Sequence, residues 1–198
     1  MRLNIDLSQN QGKNIFFTSD FHLFHDNVIR FDNRPFANVD EMHVAIVDGW
    51  NSVVTENDTV IYLGDLSFGK AKHKPVVDSI LKSLNGEIHF VMGNHDKFEE
   101  IQRNTRFKTV NDYLEVRVRD EKSSLPEILF CCMHYPVYSW NKSHRGSIHV
   151  HGHTHGNMHH GEDASYYVNR KAIDVGCMLH GYKPISFIEI IEKLNNIN

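Results

Sequence analysis

Five short motifs place side chains capable of metal and phosphate chemistry along this sequence: Asp20-Phe21-His22, Gly64-Asp65, Gly93-Asn94-His95-Asp96, His134 and Gly152-His153-Thr154-His155. They belong to a chain rich in imidazole, with 15 histidines in 198 residues, and histidine is the commonest metal ligand and the side chain that titrates nearest neutral pH. The donors are carboxylate, amide and imidazole without thiolate, a set that suits divalent first-row metals better than a closed structural zinc site. In Asp20-Phe21-His22 the two donors are two residues apart, so on an extended segment they point the same way and can clamp one ion. His153 and His155 repeat that spacing. A carboxylate such as Asp65 can bridge two ions about 3.5–4 Å apart, the arrangement that activates a water and stabilises both oxygens of an in-line displacement. Gly64, Gly93 and Gly152 let the backbone turn tightly beside an ion or a phosphate.

Each motif follows a short apolar run. Residues 14–18, 59–63, 88–92, 128–133 and 148–150 are rich in Ile, Val, Phe and Leu, as expected of strands covered on both faces. Further strands are expected at 172–175 and 185–190, and the alternation of 113–119 suggests a half-exposed antiparallel strand. Val39, Met42, Ile46, Trp50 and Val53 recur at helical spacing, and Asn38 with Glu41 has the form of a capping box. A second helix is expected over 74–84, burying Val76, Val77, Ile80, Leu81 and Leu84, with Pro75 at its start and Asn85-Gly86 at its stop. The pattern implies a layered α/β domain spanning residues 1–198, in which ligands collect beyond the carboxyl ends of the strands.

With five ordered motifs, each after an apolar run, the sequence resembles a calcineurin-like metallophosphoesterase. Within that superfamily it is most similar to small uncapped bacterial and phage-type enzymes, which share His25, Asn27, Arg34-Pro35-Phe36 and the segment Ser143-His144-Arg145-Gly146-Ser147. The resemblance implies a four-layer α/β/β/α sandwich with mixed sheets and two divalent transition-metal ions, manganese foremost, with iron, nickel, cobalt or zinc also suited. It implies Asp20, His22, Asp65 and His155 on one ion and Asp65, Asn94, His134 and His153 on the other, with Asp65 and a hydroxide nucleophile between them. His95 is then catalytic, protonating the leaving oxygen or holding the phosphoryl group, with Asp96 orienting it. Many members carry an acidic residue three positions after the counterpart of Asp65, where this chain has Phe68; that position is not a ligand.

Blander roles compete at several of these positions. His95 also suits a cap on a helix beginning near Asp96, and His134 a satisfied buried histidine. His25 and Arg34 either bind substrate phosphate, for which the forked guanidinium is well shaped, or pin a surface loop. Trp140, His144 and Arg145 either line the pocket rim or lie in a solvated loop, and strand packing is the default for His149 and His151. His159 and His160, with Gly161-Glu162-Asp163, read as an exposed loop.

The expected activity is hydrolysis of a phosphate ester, a phosphodiester ahead of a monoester, on a small phosphorylated or nucleotide-like substrate. An interaction scaffold with a vestigial site is the competing class; the presence of both Asn94 and His95 argues against it. The balance of 21 basic and 25 acidic side chains, net charge −4, does not provide the basic face that an extended nucleic-acid footprint needs. Apolar residues at 40% exclude a disordered chain, and no apolar run reaches the roughly 20 residues of a membrane helix. The start Met1-Arg2-Leu3-Asn4-Ile5-Asp6 does not read as a signal peptide. Three cysteines, of which the adjacent Cys131 and Cys132 would face opposite sides of a strand, fit a reduced, cytoplasmic setting.

Overall fold

The computed structural model describes residues 1–9, 13–119, 126–159, 165–167 and 170–196. The expected loop at His160, Gly161, Glu162 and Asp163 lies outside the described residues, as does the side chain of His159.

Among the described residues, ten strands form two mixed five-stranded sheets. One contains β2 (Ile15–Thr18), β3 (Thr59–Tyr62), β4 (Glu87–Val91) and β5 (Phe107–Asn111), all parallel, with the antiparallel β10 (Ile185–Ser186) on the edge beside β2. The other has β1 (Arg2–Asp6) parallel to β6 (Leu114–Arg119), β6 antiparallel to β7 (Ile128–Cys132), and β8 (Ile148–His151) and β9 (Ala172–Asp174) continuing in parallel. The sheets face each other across one apolar core that includes Phe17, Ile61, Leu63 and Val91 from the first and Val116, Phe130, Cys132 and Val150 from the second. A second cluster covers the outer face of the first sheet, where Phe16, Tyr62 and Phe90 meet Met42, Ile46 and Trp50 of helix α2 (Val39–Asn51) and Leu81 of α3 (Lys74–Ser83). Buried on both sides, β2 and β3 of that sheet show no apolar–polar alternation. Short helices α1 (Asp26–Phe31) and α4 (Phe98–Gln102) follow β2 and β4, and α5 (Phe187–Asn196) turns Phe187, Ile190 and Leu194 into the core between the sheets.

Helix α2 begins as its sequence suggests: the Asn38 side chain accepts from Glu41 N–H at 2.9 Å, while the Glu41 carboxylate reaches Ala37 N–H at 2.8 Å rather than Asn38. Trp50 near its end is fully buried and donates Nε1–H to the Asn85 carbonyl at 3.0 Å, tying α2 to the turn after α3.

The structure corrects four local expectations. Residues 185–190 give only a two-residue strand before helix α5 begins at Phe187; the apolar positions 187, 190 and 194 follow a helical repeat that a six-residue window does not reveal. Val76 is exposed rather than buried, and Val53 lies beyond the end of α2. The strand at 114–119 is mostly buried because β1 pairs along its other edge and the core covers one face. Cys131 and Cys132 do face opposite ways, Cys132 into the core and Cys131 toward the Asn141 carbonyl, and all three cysteines are free.

Candidate metal centre

All five motifs converge at the carboxyl ends of the central parallel strands of both sheets. Asp20 and His22 follow β2, Asp65 follows β3, Asn94 and His95 follow β4, His134 follows β7, and His153 and His155 follow β8. Pairing continues past the strand ends and fixes the loops to one another. Asp20 N–H donates to Gly64 O at 3.0 Å, His22 N–H to Asp65 O at 3.1 Å, and Gly152 N–H to His134 O at 3.0 Å. The loop carrying His153 and His155 is anchored to β9, where the Asp174 carboxylate accepts from Thr154 Oγ1 at 2.6 Å and Gly156 N–H at 3.0 Å.

Two groups of three donors result: Asp20, His22 and His155, and Asp65, His134 and His153, with the donor atoms of each group all within 4.8 Å of one another. Asp65 Oδ2 stands between them, 3.6 Å from His22 Nε2 and 3.5 Å from His134 Nε2. Asn94 Oδ1 completes the second group at 3.1 Å from His134 Nε2. Five of the six triad residues hold a left-handed backbone: Asp20 (φ 59°), His22 (51°), Asp65 (57°), His153 (69°) and His155 (49°). Such a conformation in a residue other than glycine costs about 1–3 kcal/mol each and persists where the surroundings over-determine it, as at ligand sites. Close loop packing requires glycine behind two of the carboxylates. A Cβ at Gly93 would strike the Asp65 carboxylate, and one at Gly152 would strike that of Asp20.

The orientation of the imidazoles is set from behind. His134 Nδ1–H donates to Leu63 O at 2.6 Å, and His155 Nδ1–H to Asp32 Oδ1 at 2.9 Å, so both Nε2 atoms face the centre. This is the usual way a metal-ligating histidine has its tautomer and ring plane fixed. His22 Nε2 approaches His155 Nε2 to 3.0 Å, and the buried Nδ1 of His22 has no hydrogen-bond partner among the described residues. Asp20 is fully buried, yet its carboxylate accepts from Ser19 Oγ at 2.5 Å and His153 N–H at 3.1 Å.

The field within the site is negative. Burial pushes the Asp65 carboxyl up, but the hydrogen bond and charge of His134 outweigh burial and bring it to about 2. Burial likewise lowers His155, and the carboxylates of Asp20 and Asp32 outweigh it, raising the imidazole to about 10. For His22 burial wins, and its pKa falls to about 4. A potential that holds a proton so firmly on His155 is one that a cation would also meet. Two carboxylates, four imidazoles and an amide, presented in two clusters, fit a pair of divalent transition-metal ions.

His95 lies outside both triads. Its N–H donates to Asp65 Oδ1 at 2.9 Å, and its exposed ring places Nε2 4.0 Å from Asp65 Oδ2, open to solvent and free to meet a substrate. Asp96 does not orient that ring. Its carboxylate is spent on three backbone N–H groups, those of Asp65 and Gly93 at 2.8 Å and Leu66 at 3.0 Å, so it is the clamp that joins the loops after β3 and β4. Burial outweighs those hydrogen bonds and raises its pKa.

Arg34 takes the loop-pinning role of its two alternatives. The buried guanidinium donates to the carbonyls of Asp20 and Phe21 at 3.0 and 2.9 Å and to Asp32 Oδ2 at 2.9 Å, leaving no face toward a phosphate. His25 does border the centre, its ring 5.6 Å from that of His22 and stacked on Phe68 at 4.3 Å. Trp140 stacks on His149 at 5.2 Å and donates to Ser147 O, while His144 and Arg145 are exposed. His149 and His151 are buried strand residues bonded to backbone carbonyls and to Tyr167. Two residues of the site are not evident from spacing. Asp32 holds His155 from 123 positions away, with a carboxylate beside an arginine as its only local sign, and Phe68 lies against His95 with ring centres 5.1 Å apart.

No family model matches the chain. It is 38% identical over 186 residues to the uncharacterized protein MJ1445 of Methanocaldococcus jannaschii, a likeness covering 91% of this chain and 93% of that protein, and the chain belongs to the same family. The Gene 66 protein of Mycobacterium phage L5 is 27% identical over 206 residues, covering 93% and 96% of the two chains. Among solved structures, AQ665 of Aquifex aeolicus, a protein of unknown function, shares the fold at a TM-score of 0.68 and 25% identity, over 92% of this chain and 100% of that one.

Proposed function

We propose that this protein is a metal-dependent phosphoesterase of the calcineurin-like type, hydrolysing a phosphodiester in preference to a monoester. The observation that carries the reading is the pair of donor triads that meet at Asp65, held by left-handed backbone at five of six positions. When bound there, two divalent cations, manganese foremost, supply Lewis acidity to a phosphoryl group and acidify a water. The chain's own residues do the rest. Asp65 presents one oxygen to both triads while its other oxygen fixes the His95 backbone. The open Nε2 of His95 delivers a proton to the departing alkoxide oxygen, and Asn94 at the same loop edge meets a phosphoryl oxygen. No serine or cysteine nucleophile is invoked: Cys131, Cys132 and Cys177 are buried thiols, and the Cys177 Sγ is turned to the Asp20 backbone carbonyl at 3.4 Å.

A four-layer sandwich belongs to this proposal as well. Two sheets share a core and helices α2 and α3 cover one outer face, while α5 packs against β10, β2 and β9 at the edge of the inter-sheet core. A cytoplasmic setting is proposed from the free cysteines; among the described residues no helix is long and apolar enough to cross a membrane.

The test is a panel of linear diesters, cyclic nucleotides and monoesters, assayed on chelator-stripped protein reloaded with manganese, iron, nickel, cobalt or zinc in turn. Turnover that appears with metal and disappears on chelation is expected. Turnover that persists after chelation, or no turnover with any metal, would overturn the reading.

A further inference from the structure

Large apolar side chains are seldom left open without cause at the mouth of a polar site, yet two aromatic rings stand there. Phe68 is 48% exposed and Phe31 is 64% exposed. Neither is scattered surface. The Phe68 ring lies nearly parallel to the His25 imidazole, 4.3 Å away at 18°, and meets the His95 ring edge-on at 5.1 Å. Phe31 meets the other side of the arrangement, edge-on to His25 at 6.2 Å. Phe68 is thus backed on one face by a flat ring, bounded at its edge by His95, and open on its remaining face. Two contacts lead from it to the metal centre: Phe68 to His95, and His95 Nε2 to Asp65 Oδ2 at 4.0 Å.

We infer that the open face of Phe68 is a stacking subsite for a flat heteroaromatic ring carried by the substrate near its phosphate, which makes the substrate a nucleotide-type ester. The inference rests on the phosphoesterase reading and specifies its substrate class. A rigid aromatic platform costs little conformational entropy on binding, and a base stacked on such a ring tolerates any base identity because each has a π-face. Phe68 therefore sets selectivity between aromatic and non-aromatic phosphate esters without reading a sequence. His25 supports the platform from behind, so its contribution passes through Phe68.

The experiment compares equilibrium binding of AMP and ribose 5-phosphate to the manganese-loaded protein by calorimetry, alongside hydrolysis of nucleoside and alkyl phosphodiesters. AMP should bind about tenfold more tightly than ribose 5-phosphate. Phe68→Ala and Phe68→Leu should both erase that difference, leaving ribose 5-phosphate affinity in place, whereas Phe68→Tyr should retain it. Because Leu keeps apolar bulk but not a flat face, its loss separates stacking from simple hydrophobic contact. In turnover, Phe68→Ala should raise KM for nucleoside esters with little change in kcat. Equal binding of the two probes by the unaltered protein, or retention of the preference in Phe68→Ala, overturns the inference while ester hydrolysis keeps the phosphoesterase reading standing. Absence of both binding and hydrolysis overturns the two together.

Discussion

At the scale of single residues, Asp65 is the position on which the site turns, since one of its oxygens faces both donor triads. Asp65→Asn preserves shape and removes the charge, so metal content should fall from two ions toward one or none, together with activity, as measured by elemental analysis after dialysis. Two ions retained at full activity would refute the bridging role. His95 is outside both triads and exposed. His95→Ala should therefore keep both ions and slow turnover about 10²–10⁴-fold, the range for losing a general acid; loss of metal in that variant would place His95 among the ligands instead. Asp32 touches no ion in this account but fixes His155 through Nδ1. Asp32→Asn should weaken metal affinity about 10–100-fold in a calorimetric titration, with unchanged affinity counting against that role. The positions of the candidate donors are legible in the sequence, because each motif follows an apolar run. The hydrogen bond between Asp32 and His155, and the backbone duty of Asp96, are not, since both depend on loops brought together by folding.

At the scale of elements, strands β2, β3, β4, β7, β8 and β9 emerge from the apolar runs, and α2 and α3 from their repeats and caps. Strand β1 and strand β5 do not. Each is a five-residue segment with polar residues interspersed, Arg2-Leu3-Asn4-Ile5-Asp6 and Phe107-Lys108-Thr109-Val110-Asn111, and each becomes a strand by pairing at a sheet edge. Tertiary context decides such segments more than intrinsic preference does. The left-handed turns after the strands are equally hidden, because Asp and His carry no sign of φ in their spacing. At the opposite ends of the strands Asp58, whose buried carboxylate accepts from Asn14 N–H and Thr55 N–H, each at 2.6 Å, ties the entry of β2 to that of β3. Asp58→Ala should lower unfolding free energy by about 1–3 kcal/mol, the cost of orphaned buried donors, in urea melts. Metal content in the folded variant should stay unchanged; a loss of metal without loss of stability would contradict this assignment.

At the scale of the whole molecule, two sheets close on one core and bring donor side chains from both to a common rim. That geometry makes the site a property of the intact sandwich, since His22 and Asp65 come from one sheet and His134, His153 and His155 from the other. Global stability should carry an acid limb. Burial holds the His149 imidazole near a pKa of about 4 against an ordinary 6.5. The unfolded chain then takes up the proton first, so the contribution is intact above about pH 6.5 and is lost as pH falls through about 4. Urea midpoints measured across that window on metal-free protein should decline, and His149→Gln should flatten the decline; a slope unaltered by that change would assign the acid limb to other groups. The most direct test of the central claim is anomalous diffraction at the manganese edge from crystals grown with manganese. Two peaks are expected, one among Asp20, His22 and His155 and one among Asp65, His134 and His153, with the Asp65 carboxylate touching both; a single peak, or peaks away from these side chains, would contradict the account.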